Sequence, residues 1–235
     1  MANKSKKEAE ILDVNETLNK SEAYISKHKK PILIGLVAVV VVIAALFVYN
    51  GYVSGPRATK ASTALAKCQS FFSSGMYDLA LNGDSTTFYG LKGVISDYKG
   101  TDAANLAKLY AGLCCANMEQ WQEAVDYLES FSPANDAMIS PAAVAALGNA
   151  YANIGDVDKA VSKLKKAADM ADSKADNGTN MSLAPIWLMQ AGVLLESQGK
   201  TDEALKIYKK VKDTYFNASA VQSGEVDKYI ERASK

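Results

Sequence analysis

Residues 141–168 read PAAVAALGNAYANIGDVDKAVSKLKKAA and predict two helices joined by a tight turn. Tyr151 and Leu164 fall at helical spacing on the side where the two helices would meet. Gly155 can end the first helix in a left-handed conformation that involves no Cβ clash. Asp156, the next residue, can cap the second helix. The stretch therefore predicts an α-helical hairpin.

The same pattern recurs on both sides of this hairpin. Gly148, at the predicted helix crossing, has counterparts at Gly112, 36 residues earlier, and at Gly192, 44 residues later. A looser copy comes first, in which Cys68 replaces the glycine and an insertion at 82–87 delays the second helix. A two-helix unit repeated about every 34 residues resembles the tetratricopeptide repeat (TPR). In the central copy the marks of that repeat are Leu147, Gly148, Tyr151, Gly155, Asp156, Ala160, Leu164 and Ala167.

The last residues of the chain predict one further helix. Val226, Tyr229 and Ile230 share one face of residues 223–233. A solenoid needs such a terminal helix, because its last hairpin would otherwise expose its apolar side. We therefore predict an all-α fold with an N-terminal transmembrane helix, about four TPR hairpins and a C-terminal capping helix.

Residues 32–49 read ILIGLVAVVVVIAALFVY, and no charge occurs between Pro31 and Pro56. As a helix, this run would extend about 27 Å, close to a bilayer core of roughly 30 Å. Lysines crowd its N-terminal side, so the positive-inside bias places the N-terminus in the cytoplasm. Asn50–Pro56, with two glycines and a proline, is interpreted as a short linker.

These features divide the chain into three parts. The predicted boundaries are a partly helical cytoplasmic tail at 1–30, a transmembrane helix at 31–52 and a periplasmic TPR domain at 53–235. We expect a single-pass protein of a bacterial inner membrane, held in the bilayer by residues 32–49. A cleaved signal peptide is the alternative, but it requires a shorter apolar region followed at once by a small-residue cleavage site.

The N-terminal tail has two interpretations. Ile11, Leu18 and Ile25 recur every seven residues, so residues 8–30 could form a helix with a thin apolar stripe. The helix either stays exposed to solvent, which we favour, or lies on a membrane or a membrane partner.

The residue types that catalysis needs are scarce. His28 is the single histidine and lies beside the basic flank, which excludes a histidine-dependent triad or metal site in the large domain. Cys68, Cys114 and Cys115 are interpreted as small packing residues, with a reactive thiol as the alternative. We expect no enzyme activity, no cofactor and no metal. Residues 57–235 hold 19 basic and 21 acidic residues, which argues against nucleic acid as a partner.

With catalysis and nucleic-acid binding disfavoured, protein binding is the function that we expect, on the surface formed by the first helices of the repeats. The resemblance to TPR proteins implies a groove, and no lysine or arginine occupies its positions, which argues against clamping a C-terminal carboxylate. The groove is predicted to be apolar with amides, and to fit a helix or an extended apolar segment. The alternative is that these side chains pack against neighbouring repeats or the cap. The predicted groove residues are Leu65, Gln69, Phe72, Leu106, Leu109, Leu113, Asn117, Asn149, Asn153, Ile186, Met189 and Val193.

Three further stretches carry a narrower resemblance. They are KHKKP at 27–31, SDYKG at 96–100 and NLAKLYAG at 105–112. Together with the layout, they resemble the YfgM-like inner-membrane proteins. That resemblance implies an ancillary subunit of the Sec translocon that partners a periplasmic peptidyl-prolyl isomerase-type chaperone. The function hypothesis is a non-enzymatic, membrane-anchored adaptor at the periplasmic side of the Sec channel. The alternative is a structural TPR subunit of another envelope assembly or secretion machine.

The predicted orientation can be tested with protease added outside intact spheroplasts. Because the domain at 53–235 is expected on the outer side of the membrane, it should be digested before the cells are burst. A domain that stays intact until lysis would contradict the orientation.

Overall fold

A computed structural model describes residues 27–84 and 88–235, and each regular element in these ranges is helical. The chain divides into two compact units, Met1–Arg57 and Ala58–Lys235. The predicted apolar stripe with Ile11, Leu18 and Ile25 lies outside the described residues.

The described part of the first unit is dominated by helix α1, Lys29–Tyr49. Its apolar side chains occupy all faces, and none of them is buried. The helix beginning at Lys29 is the one helix in the described residues that is long and apolar enough to cross a membrane. A signal sequence near an N-terminus can also be long and apolar enough to qualify, so membrane anchoring stays a prediction.

The segment Asn50–Pro56, predicted to be a short linker, is helical. A π-helical turn, Asn50–Ser54, follows α1, and helix α2, Gly55–Ser73, begins directly after it. Pro56 is the second residue of α2, and its ring leaves no backbone N–H to donate. Glycine and proline thus mark the junction of two helical segments rather than an irregular loop.

The second unit is an α-solenoid of helical hairpins. Helices α5–α6, α7–α8 and α9–α10 pair as hairpins, each hairpin contacts the next, and α12 packs on α10. The remaining helices are α3 Tyr77–Asn82, α4 Gly90–Asp97, α5 Asp102–Asn117, α6 Trp121–Ser130, α7 Ile139–Asn153, α8 Val157–Asp172, α9 Ala184–Ser197, α10 Thr201–Thr214, α11 Ser219–Gln222 and α12 Glu225–Ala233.

The two helices of each regular hairpin approach closely at a glycine, as predicted. In all three hairpins the glycine faces the residue sixteen positions later, on the second helix. An added Cβ would meet Leu128 Cγ at 2.5 Å from Gly112, Leu164 Cγ at 3.0 Å from Gly148, and Tyr208 Cε1 at 2.3 Å from Gly192.

The predicted turn and caps of the central hairpin are confirmed. Gly155 has a φ of 84°, the left-handed conformation that glycine adopts without strain. The Asp156 carboxylate accepts a hydrogen bond from the backbone N–H of Lys159 at 3.2 Å. In the preceding hairpin, Thr101 Oγ1 accepts from the N–H of Ala104 at 3.1 Å, so threonine is the N-cap of α5.

The first repeat is irregular because its second helix is divided into α3 and α4. The Phe88–Asp97 helix predicted to resume after the insertion begins at Gly90 instead. Gly83 and Gly90 have φ values of 76° and 61°, and a Cβ on Gly83 would lie 1.8 Å from the Phe88 carbonyl oxygen. The Asp84 N–H donates to that oxygen at 2.8 Å. Two glycines therefore let the ends of the insertion meet.

The three cysteines lie in the core, in agreement with the packing interpretation. Cys68, Cys114 and Cys115 are buried in one cluster with apolar side chains of the first three repeats. Burial raises the pKa of Cys68 and Cys115 to about 11 and that of Cys114 to about 12. The thiols are therefore protonated near neutral pH.

Replacing the crossing glycines by alanine should destabilise the protein in the order Gly192→Ala, Gly112→Ala, Gly148→Ala. Alanine gains about 1 kcal/mol of helix propensity over glycine, whereas overpacking a filled core costs about 1–3 kcal/mol. Tyr208 is fully buried and its hydroxyl is hydrogen-bonded, so its ring has least freedom to move. Urea unfolding of the full chain followed by circular dichroism measures the order. A stabilised Gly192→Ala variant would contradict the close approach.

Candidate functional site

A cavity of about 700 Å³ lies between the first helices of the last two repeats and the C-terminal cap. We call it the groove cavity. Its volume falls in the range of roughly 300–1,000 Å³ that is common for binding pockets. The lining residues are Asn149, Ala152 and Asn153 of α7, Ile186, Met189, Gln190, Val193 and Leu194 of α9, Ala220 of α11, and Glu225 and Tyr229 of the cap, α12.

The predicted residues of the last two repeats meet in this cavity. Helical spacing explains the convergence: Asn149 and Asn153 are four residues apart on α7, while Ile186, Met189 and Val193 are three and four apart on α9. Each set therefore lies on one face of its helix, and the two faces border the same cavity.

Two side chains are the most exposed large apolar groups of the groove cavity. Ile186 is 53% exposed and Val193 is 41% exposed, whereas Met189 is 8% exposed and belongs to the floor. Asn153 Nδ2 donates to the Asn149 backbone carbonyl at 2.8 Å, which holds one amide along the helix. The cavity thus presents aliphatic surface beside amide groups.

The predicted residues of the first two repeats do not line the groove cavity. Leu65 and Leu109 are buried in the core. Phe72 is partly buried, with its ring 5.4 Å from Tyr77 and 5.2 Å from Tyr110 between centroids, and so packs between helices. The other four residues are partly or fully exposed and lie outside this cavity: Gln69, Leu106, Leu113 and Asn117.

Sequence reasoning missed the wall that the cap contributes. The groove positions taken from TPR proteins lie on the first helix of each repeat, so Glu225 and Tyr229 of α12 were not among the predicted residues. The apolar face of the tail indicated that it covers the last hairpin, and Val226 is indeed fully buried. Nothing in its sequence indicated which side chains would border the groove.

A hydrogen-bonded cluster fastens the cap beside the cavity. Glu196, at the end of α9, accepts from Tyr208 Oη at 2.8 Å and from Arg232 Nε at 3.0 Å, and Arg232 Nη2 bonds the same carboxylate. The Glu196 side chain is only 14% exposed. The Arg232 guanidinium is the main reason that the pKa of Glu196 is lowered. Tyr229 also packs on Tyr208, with ring centroids 5.3 Å apart.

A second network sets the start of α7. The Asp136 carboxylate accepts from the backbone N–H groups of Met138 at 3.0 Å, Ile139 at 2.6 Å and Ser140 at 3.1 Å. Burial alone would raise the pKa of Asp136, but hydrogen bonds from Ser140, Met138 and Ile139 outweigh it and lower the pKa. The sequence analysis did not identify this network, because the stretch from which it started begins at Pro141.

Two of the three stretches that carried the YfgM-like resemblance, residues 96–100 and 105–112, border a separate depression of about 540 Å³. Asn105 Nδ2 donates to the Ser132 carbonyl at 2.8 Å, and Asn105 Oδ1 accepts from the Ser132 N–H at 2.9 Å. Lys108 Nζ donates to the Ser130 carbonyl at 2.9 Å, at the end of α6. These motif residues fasten α5 to the segment that follows α6.

No metal site is assembled by residues 27–84 and 88–235, where no three His, Cys, Asp or Glu side chains cluster in a suitable way. The groove cavity contains a single ionisable carboxylate, Glu225. Its chemistry is therefore that of a surface that binds through apolar contact and amide hydrogen bonds.

Comparisons with solved structures assign the chain to a class. The TPR-like repeats of a Podosopora anserina kinesin light chain cover 75% of this chain and 86% of their own, with a TM-score of 0.55 at 14% identity. A single-substitution variant of the same repeats covers 75% of this chain and 94% of its own, with a TM-score of 0.52 at 13% identity. At this identity the likeness concerns the fold, and the protein is a TPR-like helical-repeat protein.

A protein-family model matches residues 52–223 of this chain. The matching family is described as T7SS, ESX-1 secretion system protein EccA1, N-terminal domain. Because the match covers most of the chain, the protein belongs to this family. No curated protein is matched. The narrower YfgM-like resemblance stays a prediction.

The Glu196 cluster predicts a pH-dependent stability of the cap. Folding lowers the pKa of Glu196. Its contribution to the free energy of unfolding is therefore fully present at a pH above its ordinary pKa of 4.5, and it is lost as the pH falls through the lowered pKa of the folded state. Glu196→Gln should cost about 1 kcal/mol at pH 7, and the difference should shrink on acidification.

The matched control is Glu231→Gln on α12, since Glu231 forms only an exposed pair with Lys235 at 3.2 Å. Chemical unfolding at several pH values measures both variants. An equal loss for the two, or a Glu196→Gln effect that does not depend on pH, would contradict the assignment.

Proposed function

We propose that this protein is a non-enzymatic scaffold, anchored in a membrane by α1, whose groove cavity binds other proteins at an export machine of the cell envelope. The observation that carries the proposal is the convergence of Asn149, Asn153, Ile186, Met189 and Val193 on one open cavity. TPR-like repeats are a protein-interaction fold, and this cavity offers the exposed aliphatic surface that such binding requires.

Anchoring supports the proposal through local concentration. Helix α1 has no buried side chain and presents apolar groups on every face, a composition that favours a bilayer over water. A domain held at the membrane meets membrane-bound partners at a raised effective concentration, so weak contacts at the groove suffice.

The first candidate partners are those that the YfgM-like resemblance implies. They are channel subunits of the Sec translocon and a periplasmic peptidyl-prolyl isomerase-type chaperone. The adaptor would then work at the periplasmic side of the inner membrane, with the N-terminal tail in the cytoplasm.

A second candidate is favoured by the family match. The family takes its description from EccA1, a protein of the ESX-1 secretion system. That description supports a structural role in a secretion machine other than the Sec translocon. Both candidates use the same groove and the same anchor, and they differ in the proteins bound.

Photo-crosslinking in cells tests the groove and identifies its partner. A crosslinking residue at Ile186 or Val193, both exposed in the cavity, should trap the proteins that co-purify with the full chain in mild detergent. The control position is Ser162, exposed on α8 and outside the cavity. Ile186→Asp should reduce the co-purified proteins by about tenfold, because it places a charge against apolar surface.

The identity of the adducts distinguishes the two candidates. Sec channel subunits and a chaperone would support the first, and components of another secretion machine the second. Adducts obtained from Ser162 but from neither groove position would contradict binding at the groove.

A further inference from the structure

Charge is distributed very unevenly between the two helices of the last two hairpins. Residues 137–155, which include α7, contain no Asp, Glu, Lys or Arg, and neither do residues 177–195, which include most of α9. Each of the second helices, α8 and α10, carries several lysines and carboxylates. Of these hairpin helices, the two that line the groove cavity therefore carry the fewest charges, none on α7 and Glu196 alone on α9.

One charged side chain remains in the wall of the cavity. Glu225 lies in the first turn of α12, is exposed, and borders the cavity together with Tyr229. The neighbouring charges of the cap are engaged: Asp227 pairs with Lys212 at 2.8 Å, and Arg232 pairs with Glu196. In the described part of the chain, Glu225 forms no ion pair.

The cations that share a depression with Glu225 do not line the groove cavity. Lys228 and Arg232 border a separate depression that shares Glu225 and Tyr229 with the cavity. The cavity side of Glu225 thus combines an uncharged wall with a carboxylate at one end. A bound segment that brought its own carboxylate would lose hydration and face Glu225, whereas a cation at that end would gain a partner.

We propose that the groove cavity binds an uncharged, apolar polypeptide segment that carries one lysine or arginine at the end lying against Glu225. This inference rests on the proposed function and names the chemistry of the bound segment. Ile186 and Val193 contact its apolar side chains, and the amides of Asn149 and Gln190 offer hydrogen bonds to its backbone. Acidic segments are rejected because the wall offers them no cation.

Binding of labelled peptides to the full chain in lipid nanodiscs tests this inference. Three short fluorescent peptides share one neutral apolar sequence: the parent, a version with a terminal lysine, and a version with a central aspartate. Fluorescence anisotropy, corrected with empty nanodiscs, gives the affinities. We expect the lysine peptide to bind several-fold tighter than the parent, and the aspartate peptide about tenfold weaker.

Glu225→Gln should abolish the advantage of the lysine peptide over the parent. Glu231→Gln, an exposed carboxylate on the same helix, should leave both affinities unchanged. The inference is overturned if the aspartate peptide binds as tightly as the parent, or if the lysine preference survives Glu225→Gln.

The variant Ile186→Asp separates this inference from the proposed function. If Ile186→Asp abolishes binding of the parent peptide while the charge of the peptide has no effect, the groove binds protein. In that case only the proposed preference for a cationic segment fails. If the parent does not bind, or binds equally to Ile186→Asp, both the groove function and that preference fail.

Discussion

The fold depends on one contact repeated in three hairpins, in which a glycine of the first helix faces a large side chain of the second. Gly148 lies against Leu164, and Gly192 lies against the ring of Tyr208. Without a Cβ on the first helix, the two backbones approach closely enough for their apolar faces to interlock. Successive hairpins then stack, and the first helices come to lie side by side. The groove cavity is a consequence of that alignment.

The C-terminal cap connects the stability of the solenoid with the shape of the groove. Val226 is fully buried against the last hairpin, while Tyr229 and Glu225 of the same helix form a wall of the cavity. Glu196 receives hydrogen bonds from both the last hairpin and the cap, so it fixes this wall. Fraying of the cap would therefore open the groove as well as expose the core.

The sequence predicted the features that arise from local chemistry. The hairpin turn at Gly155 and the cap at Asp156 follow from backbone conformation and nearby hydrogen bonds, and both are present. Groove positions in the last two repeats were also predicted, since helical spacing places them on one face. Leu109 was expected in the groove but is buried in the core, and Met189 at the same repeat position is buried to a similar extent.

Features that depend on distant contacts could not be predicted. The wall formed by the cap can be predicted only if the packing of α12 against α9 is known. The close approach of Gly83 and Gly90 likewise joins the two ends of an insertion, which are not adjacent in sequence. The supposed linker at Asn50–Pro56 shows the same limit, because glycine and proline are compatible with a helix junction as well as with a loop. The uncharged stretches at 137–155 and 177–195 were visible in the sequence, but their meaning depends on the cavity between them.

Hydrogen–deuterium exchange on the full chain, with and without the proteins that co-purify with it, tests the central claim most directly. If the groove between α7 and α9 is the binding surface, exchange should slow in residues 139–153 and 184–197 and in the cap. Helices α8 and α10 should change less. Protection confined to α8 and α10, with α7 and α9 unaffected, would contradict the account.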